Sequence, residues 1–404
     1  MSLERVLRER VRVGNLEVLP PTGRSLQLGD GSGPRVEVAL PDKGWALRIA
    51  LNPGLAVGEA YMDGALTITR GDIRGLAEIV GRNTAPRAIR PPSPLVRWWR
   101  DRRLQANARA QSRRNVAHHY DLSVDFYRRF LDADLQYSCA YFPTEGLTLE
   151  EAQAAKKAHI AAKLLLSPDH RVLDIGCGWG GLALTLARAG AQVDGVTLSK
   201  EQHDLARARA AAVGLEDRAR FSLTDYRDVA GPYDRIVSVG MFEHVGRPNY
   251  GSYFEQVARL LAPDGVAVIH SIGRADGPSF PQPWVAKHIF PGGYIPSLSE
   301  VLPAVERAGL IVTDIEILRR HYAETLRLWS ERFQAARAEI AQIYDERFCR
   351  MWEFYLAFSE MAFRYRDHMV FQLQLARRGD AVPITRDYLA PIEADWRVQA
   401  QAAA

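Results

Sequence analysis

The residues between Arg171 and Gly181 have the spacing of a ligand-binding turn. The run Arg171-Val-Leu-Asp-Ile-Gly-Cys-Gly-Trp-Gly-Gly181 passes from a short apolar stretch into a glycine-dense turn, and a helix is predicted to begin near Leu182. Gly176, Gly178 and Gly181 allow sharp turns and a close approach to the backbone, because no Cβ stands in the way. The first N–H groups of a helix have no partner within the helix and attract anions. This pattern indicates a site for a nucleotide-type cofactor.

Two acidic residues bear on which cofactor binds there. The three glycines also match a dinucleotide-binding pattern, and Asp194 follows at about the 20-residue spacing of an acidic ribose ligand. Asp194, however, lies inside the second apolar stretch and not at the carboxyl end of a strand, where ligands bind. Asp174 stands one residue before the turn. Residues 173–181 and 233–239 resemble the first motif and the fourth strand of class I S-adenosylmethionine-dependent methyltransferases, which favours S-adenosylmethionine.

Alternating strand and helix patterns must hold these residues in place. We predict strands near residues 171–175, 192–197, 219–223, 234–239, 265–271, 311–317 and 370–376, with helices between them. This alternation predicts an α/β fold with a doubly wound, Rossmann-like sheet of the class I methyltransferase type. Two insertions, 277–296 and 322–367, interrupt it, and the second is helical in pattern and rich in aromatic residues. Aromatic residues at helical spacing are typical of a core, but they could also line a dry pocket for a long aliphatic substrate.

The chain divides into three predicted regions. Residues 1–90 alternate short apolar runs with turn signals, which predicts a small α+β domain that contacts lipid or serves as a scaffold. Residues 91–115 form a basic linker, and residues 116–404 form the catalytic domain. Between Arg87 and Arg114, nine arginines and the pair Trp98–Trp99 accompany a single acid, Asp101. This segment is either a solvated linker or an amphipathic element on an anionic membrane surface. Binding to nucleic acid is the least favoured interpretation, because no nucleic-acid-binding module is recognisable.

Composition places the protein among soluble globular chains. It has 404 residues, 47% hydrophobic and 25% charged, with a formal net charge of +4. No apolar stretch of about 18 residues could span a bilayer, and the N-terminus lacks the apolar segment of a secretory signal. Cys139, Cys177 and Cys349 are far apart and in no C-x-x-C spacing, which argues against disulfides and structural zinc. A cytoplasmic protein is expected.

Six separated motifs carry a more specific resemblance. Together they are similar to cyclopropane-fatty-acyl-phospholipid synthases and the related mycolic acid cyclopropane synthases, over roughly residues 116–390. The additional N-terminal domain is similar to the phospholipid-acting bacterial branch. The motifs are His118-His-Tyr-Asp-Leu-Ser123, Leu135-Gln-Tyr-Ser-Cys-Ala-Tyr-Phe142, Gly195-Val-Thr-Leu-Ser199, Met241-Phe-Glu-His-Val-Gly246, Phe290-Pro-Gly-Gly-Tyr294 and His321-Tyr-Ala-Glu-Thr-Leu326.

The resemblance implies methyl transfer to the cis double bond of an unsaturated acyl chain in a membrane phospholipid. The resulting carbocation must lose a proton to close a cyclopropane ring, and bound bicarbonate is the implied base. The groups implied to hold it are Cys139, Glu243, His270, Ile272 and Tyr322. Cys139 and Ile272 would act through the backbone, and Glu243 would need a pKa raised by burial. Without the resemblance, Cys139, Ile272 and Tyr322 could be packing residues. Glu243 could be an acid at a helix N-terminus and His270 a buried core histidine.

The same resemblance implies a set of residues around S-adenosylmethionine. Tyr120, Tyr137 and Ser138 would cover its methionine end. The remaining implied contacts are Asp174, Gly176 and Gly178 at the turn, Thr197, Leu198 and Gln202 at the ribose, and Asp225, Tyr226 and Arg227 beside the adenine. We predict no metal, because no third ligand at zinc-like spacing accompanies His244 or the pair His118–His119.

Three hypotheses about function remain open from the sequence. The first is cyclopropanation of phospholipid acyl chains by an enzyme peripherally attached to the inner face of the membrane. The second keeps the same cation but yields a methylene- or methyl-branched chain. The third, of another class, is a non-catalytic lipid-binding protein. A homodimer is expected from the two-module layout.

Overall fold

The computed structural model describes residues 3–84 and 122–402, so Tyr120, the histidines at 118 and 119 and the basic segment lie outside the described residues. The described residues form two compact units. Residues 3–84, 280–291 and 322–368 form the N-terminal unit, and residues 122–279, 292–321 and 369–402 form the large unit. Within these ranges no helix is both long enough and apolar enough to cross a bilayer.

The N-terminal unit has the predicted α+β architecture. Numbered along the chain, its elements are β1 Asn15–Leu19, β2 Leu26–Leu28, β3 Arg35–Ala39, β4 Thr67–Arg70, α1 Leu3–Arg10, α2 Lys43–Leu51, α3 Pro53–Met62, α4 Ile73–Arg82, α10 Pro283–His288, α12 His321–Ala335, α13 Arg337–Ile343 and α14 Glu346–Tyr365. The four strands form a sheet in the order β2-β1-β3-β4, in which β1 pairs parallel with β3 and the other pairs are antiparallel.

Both aromatic insertions contribute to the core of the N-terminal unit, whereas the sequence placed them in a continuous catalytic domain from residue 116. Helix α14 packs against α3 and α4, and α10 packs against α3. The Trp284 indole is buried directly over Gly58, where a Cβ would lie 2.5 Å from the ring. The buried Glu360 carboxylate accepts two hydrogen bonds of 2.8 Å from Arg74. Amphipathic helices bury their apolar face wherever a matching face exists, and here α3 and α4 provide it.

The large unit contains the predicted doubly wound sheet. The strands are β5 Arg171–Ile175, β6 Gln192–Val196, β7 Ala219–Ser222, β8 Tyr233–Val239, β9 Leu261–Arg274, β10 Ile311–Leu318 and β11 His368–Ala376. They follow the order β10-β11-β9-β8-β5-β6-β7. Neighbours from β9 to β7 pair in parallel, whereas β10 and β11 are antiparallel. The strand order reverses between β5 and β8, and in such sheets ligands bind beyond the carboxyl ends at this reversal.

Helices cover both faces of this sheet. They are α5 Val124–Arg128, α6 Leu149–Lys163, α7 Gly181–Arg188, α8 Lys200–Ala212, α9 Tyr250–Leu260, α11 Leu298–Arg307 and α15 Leu389–Ala402. One buried cluster contains apolar residues of α9 and α11, and the other contains those of α6 and α7. Helix α6 begins with a capping box between Thr148 and Glu151. This cap fixes the start of the helix directly after the loop that carries the motif at 135–142.

Candidate active site

The glycine turn follows β5 at the reversal of strand order. Gly176 has a φ of +82°, and a Cβ there would lie 2.8 Å from the Met241 Cβ. Gly178 also has positive φ, at +54°, and apart from its chain neighbours no atom of the described residues lies within 4 Å of the position of its Cβ. The backbone at Gly178 therefore faces space that a ligand can fill, which fits a cofactor bound against the turn. Asp174 is buried below it, and burial raises its pKa to about 7.

A second polar group forms where β6 leads into α8. Thr197 Oγ1 donates to Gln202 Oε1 at 2.9 Å and accepts from the Ser199 N–H at 3.2 Å. Thr197 and Gln202 are buried, whereas Leu198 is half-buried. Since Gln202 Oε1 is an acceptor here, its amide nitrogen remains as a donor. The structure thus brings together the three residues that the resemblance places around the ribose.

Asp225, Tyr226 and Arg227 form a third group after β7. Arg227 donates to both carboxylate oxygens of Asp225, at 2.8 and 2.6 Å, and its backbone N–H also donates to Asp225. The guanidinium lies 5.7 Å from the centre of the Tyr226 ring. These contacts fix Asp225 at the start of a single 3-10 turn, Tyr226–Asp228. Asp194, by contrast, lies in the middle of β6, where it accepts a hydrogen bond from Tyr233. It is therefore not at the carboxyl end of the strand, where an acidic ribose ligand would lie.

The loop before α6 lies against the glycine turn. A Cβ on Gly181 would lie 2.4 Å from Gln136 Nε2, so the loop touches the first turn of α7. Tyr127 contacts both Tyr137 and Trp179, with ring centres 5.3 and 4.9 Å apart. This aromatic cluster joins the loop to the turn. Tyr137 and Ser138, implied to cover the methionine end of the cofactor, therefore lie in the same unit as the turn.

Glu243 is a buried carboxyl group just after β8, with only one of its two oxygens hydrogen-bonded among the described residues. It belongs to the 3-10 turn Phe242–His244 that comes after β8. Its Oε1 accepts a hydrogen bond of 2.6 Å from the Ile272 N–H, whereas its buried Oε2 has no hydrogen-bond partner among the described residues. Burial raises the pKa of Glu243 to about 7. The Ile272 N–H group therefore holds Glu243 in place, whereas the resemblance implies that the Ile272 backbone holds the anion.

His270 lies in β9, two residues before Ile272, whose N–H binds Glu243. It is buried, and burial lowers its pKa well below the usual value, so the imidazole is neutral. Its Nδ1 lies 3.1 Å from Nε2 of Gln372 in β11, and its carbonyl accepts from the Gly240 N–H. With the Gln372 amide oriented so that its nitrogen faces the imidazole, Nδ1 is the acceptor and Nε2 carries the proton. Gln372 therefore fixes the tautomer of His270, a role that the sequence did not suggest.

The remaining implied residues divide between the units. Cys139 is buried in the large unit, where its Sγ lies 3.3 Å from the Ala140 carbonyl oxygen. Tyr322 belongs to the N-terminal unit, where its ring contacts Phe363 and Trp329. Tyr120 lies outside the described residues. The large unit accordingly contains Cys139, Glu243, His270 and Ile272 of the implied bicarbonate set.

Helix α6 contributes two polar side chains that sequence reasoning missed. Gln153 Nε2 donates to the carbonyl oxygens of Gln136 and Ser138, at 3.2 and 3.0 Å. Lys156 Nζ donates to Gln136 Oε1 at 2.7 Å and to Ser138 Oγ at 2.8 Å. Both side chains are completely buried. The available signal was their spacing of three residues on the alanine-rich face of α6, which places them on one side of the helix.

The parallel sheet, the open glycine turn and the polar groups after β6 and β7 define an S-adenosylmethionine-dependent methyltransferase. A structure at 19% identity, coclaurine N-methyltransferase bound to N-methylheliamine and SAH, shares this fold alone, with a TM-score of 0.65 over 79% of this chain and 98% of that chain.

More specific similarity comes from the family and its members. Residues 107–373 match the family model of mycolic acid cyclopropane synthetase, and the chain belongs to this family. It is 39% identical to the cyclopropane-fatty-acyl-phospholipid synthase of Escherichia coli, over 91% of this chain and 93% of the relative. It is 38% identical to the tuberculostearic acid methyltransferase of Mycobacterium tuberculosis, over 93% and 91%. The structure of mycolic acid cyclopropane synthase CmaA1 with SAH and CTAB is 35% identical, with a TM-score of 0.62 over 65% of this chain and 97% of that chain.

Proposed function

We propose that the protein converts the cis double bond of unsaturated phospholipid acyl chains into a cyclopropane ring. S-adenosylmethionine supplies an electrophilic methyl group when bound. The polar groups at Thr197, Gln202 and Asp225 hold the ribose and adenine, and the loop at Tyr137 and Ser138 covers the methionine end. An isolated alkene is a weak nucleophile, so orientation and exclusion of water must supply much of the rate.

The arrangement of Glu243 carries this proposal. Methylation of an alkene yields a carbocation, and closing the ring requires a base beside that cation to remove a proton. Glu243 offers an oriented, buried carboxyl oxygen that has no partner among the described residues. With a pKa near 7, the carboxyl group is partly protonated at neutral pH and can donate to an oxyanion. Bicarbonate is the proposed anion, with Glu243, His270 and the backbone at Cys139 around it, while the Ile272 N–H orients Glu243. Tyr322 is the further residue that the resemblance implies for this anion.

A methyl- or methylene-branched product is the second candidate. The similarity to the tuberculostearic acid methyltransferase, at 38%, nearly equals that to the cyclopropane synthase, at 39%. Both products share one cation and differ in which proton that cation loses and in the steps after its loss. Similarity alone therefore does not discriminate between them.

The proposal extends to the surroundings of the enzyme. We propose that it works in the cytoplasm, attached peripherally to the inner face of the membrane through the arginine-rich segment between residues 87 and 114. We also propose a homodimer, which sedimentation of the purified protein would test. The substrate is then the acyl chain of a bilayer lipid and not a free fatty acid.

The test is lipid analysis of a bacterial host that lacks such an enzyme and expresses this chain. Mass spectrometry should show acyl chains that are heavier by one methylene than the unsaturated chains they replace, and proton NMR should show the upfield signals of a cyclopropane ring. An exocyclic alkene signal, or a methyl branch, would select the second candidate. Retained binding of S-adenosylhomocysteine without any product would indicate a non-catalytic lipid-binding protein. Glu243→Gln expressed in parallel serves as the matched control.

A further inference from the structure

Helix α6 carries three lysines in contrasting surroundings. Lys157 donates to the Asp134 carboxylate at 2.6 Å, and Lys163 lies within ion-pairing distance of Glu316 and Asp314, at 2.5 and 3.5 Å. Lys156 lies completely buried, yet both of its hydrogen bonds go to neutral oxygens, on Gln136 and Ser138. No carboxylate oxygen of the described residues lies within ion-pairing distance of its Nζ. Buried charges are ordinarily paired, so this exception requires an explanation.

The position of Lys156 offers one. Burial lowers its pKa to about 8, which still leaves it mostly charged at neutral pH. The titratable groups close enough to affect it, or to be affected by it, are Asp132, Asp134, Cys139, Lys157, Asp174 and His270. Three of these belong to the candidate active site. The charge of Lys156 is therefore close enough to the candidate active site to act on its titratable groups.

The hydrogen bond to Ser138 shows how this charge can be transmitted. An ammonium group can only donate, so Ser138 Oγ accepts from Lys156 and must direct its own hydrogen elsewhere. Ser138 faces the end of β8, since a Cβ on Gly240 would lie 3.9 Å from the Ser138 Cβ. Gln153 holds the backbone of the same residue by donating to the Ser138 carbonyl oxygen. The Ser138 hydroxyl is thus polarised by a cation and held in place on its backbone side.

We propose that Lys156 is a positioning residue that makes Ser138 the donor for a carboxylate-type anion bound in the active site, and supplies the charge that balances this anion. The inference rests on the proposed function in taking Ser138 to face the methionine end of the cofactor. Two anions have the required chemistry: the α-carboxylate of the methionine moiety and bicarbonate. The donated hydrogen bond is strengthened because the acceptor is charged and the donor is itself hydrogen-bonded to a cation.

The experiment compares two ligands that differ in this carboxylate. S-adenosylhomocysteine carries it, whereas 5′-methylthioadenosine lacks the whole amino-acid group. Calorimetric titration of the full chain should show that Lys156→Met weakens S-adenosylhomocysteine at least tenfold and changes 5′-methylthioadenosine less than twofold. Ser138→Ala, which leaves the buried cation intact, should show the same selectivity. When Ser138 is already Ala, adding Lys156→Met should cause little further loss of affinity for S-adenosylhomocysteine, because Lys156 acts through Ser138.

The other outcomes are equally informative. Unchanged affinity for S-adenosylhomocysteine, together with at least a tenfold higher bicarbonate requirement for turnover, would assign the anion to bicarbonate and retain the proposal. Equal weakening of both ligands, additive effects in the double variant, or unchanged cofactor affinity and bicarbonate requirement would overturn it. If Lys156→Met does not fold, the ligand selectivity of Ser138→Ala decides.

Lys163→Met is the matched control, because it removes a completely buried lysine from the same helix whose partners are carboxylates. It should lower stability without distinguishing the two ligands. Neither binding measurement depends on which lipid product forms. A branched product would therefore contradict the proposed function and leave this result unaffected.

Discussion

Glu243 and Ile272 form the hydrogen bond that orients the carboxyl oxygen proposed to hold bicarbonate. The Ile272 N–H donates to Oε1 at 2.6 Å, and Oε2 is buried with no partner among the described residues. Because one oxygen is fixed, the direction of the other is also fixed. Function and stability make opposite demands on such a group, and this leads to the first two predictions.

Replacing Glu243 by Gln should lower turnover by at least about tenfold and leave the affinity for S-adenosylhomocysteine nearly unchanged. Gln preserves the size of the side chain, but it cannot exchange a proton. Turnover at saturating cofactor and calorimetric affinity are the two measurements. Glu255→Gln, an exposed change on α9, is the control. Near-normal turnover of the Glu243 variant would remove this residue from the mechanism.

The same substitution should stabilise the protein at high pH. The folded-state pKa of Glu243 is about 7 against a usual 4.5, so its favourable neutral form is fully present below pH 4.5 and is lost as the pH rises through 7. An increase of this size costs about 3 kcal/mol once the group is ionised. Glu243→Gln does not titrate, so its advantage over the natural chain in urea unfolding should be clear at pH 8 and small at pH 5. An equal advantage at both pH values would contradict the raised pKa.

Activity should depend on an exogenous anion. Turnover should fall when carbon dioxide and bicarbonate are stripped from the buffer, and return when bicarbonate is added at constant pH. Ionic strength must also be held constant, because membrane attachment through arginines is itself sensitive to salt. Full activity of enzyme shown to be free of carbonate would instead require Glu243 or Tyr322 to act as the base.

The arginine-rich segment, outside the described residues, should confer affinity for anionic membranes. Changing Arg97, Arg100, Arg102 and Arg103 to Gln should weaken binding to anionic vesicles by about 1 kcal/mol per charge at low salt. The difference should shrink at high salt, because screening already weakens the attraction. Vesicle sedimentation measures both conditions. If binding is unchanged, the segment is a simple linker.

Gly58→Ala should destabilise the N-terminal unit by about 1–3 kcal/mol, although Ala favours helices. A Cβ at Gly58 would lie 2.5 Å from the buried Trp284 ring, and neither helix can shift without disturbing the core. Gly251→Ala on α9 is the matched control, since in the described part of the chain nothing beyond its neighbouring residues lies within 4 Å of its Cβ position. That change should be neutral or stabilising by up to about 1 kcal/mol. Thermal unfolding of both variants tests the contact, and equal melting temperatures would contradict it.

The sequence by itself was sufficient to predict the strands of the large sheet and the segments after them that form the candidate active site. Hydrophobic periodicity and glycine spacing are local, and they were sufficient to predict the strands from β5 to β11 and the turn at Gly176. They also showed that Asp194 lies inside a strand, which the structure confirms. Because the carboxyl ends of parallel strands share one edge, local patterns also predicted that the segments after β5, β6 and β8 meet.

Only the tertiary structure decided the contacts between distant residues. The aromatic pattern of 322–367 indicates a buried helix but not its partner, and the structure packs α14 against α3 and α4. Likewise, a lysine in an alanine-rich helix looks like a solvated charge until its spatial neighbours are known. Lys156 became informative because folding buries it against Gln136 and Ser138, while Lys157 beside it finds a carboxylate. Whether a side chain is buried, and whether it is paired, depends on residues that are distant in sequence but close in the fold. The local periodicity of a sequence does not encode those contacts.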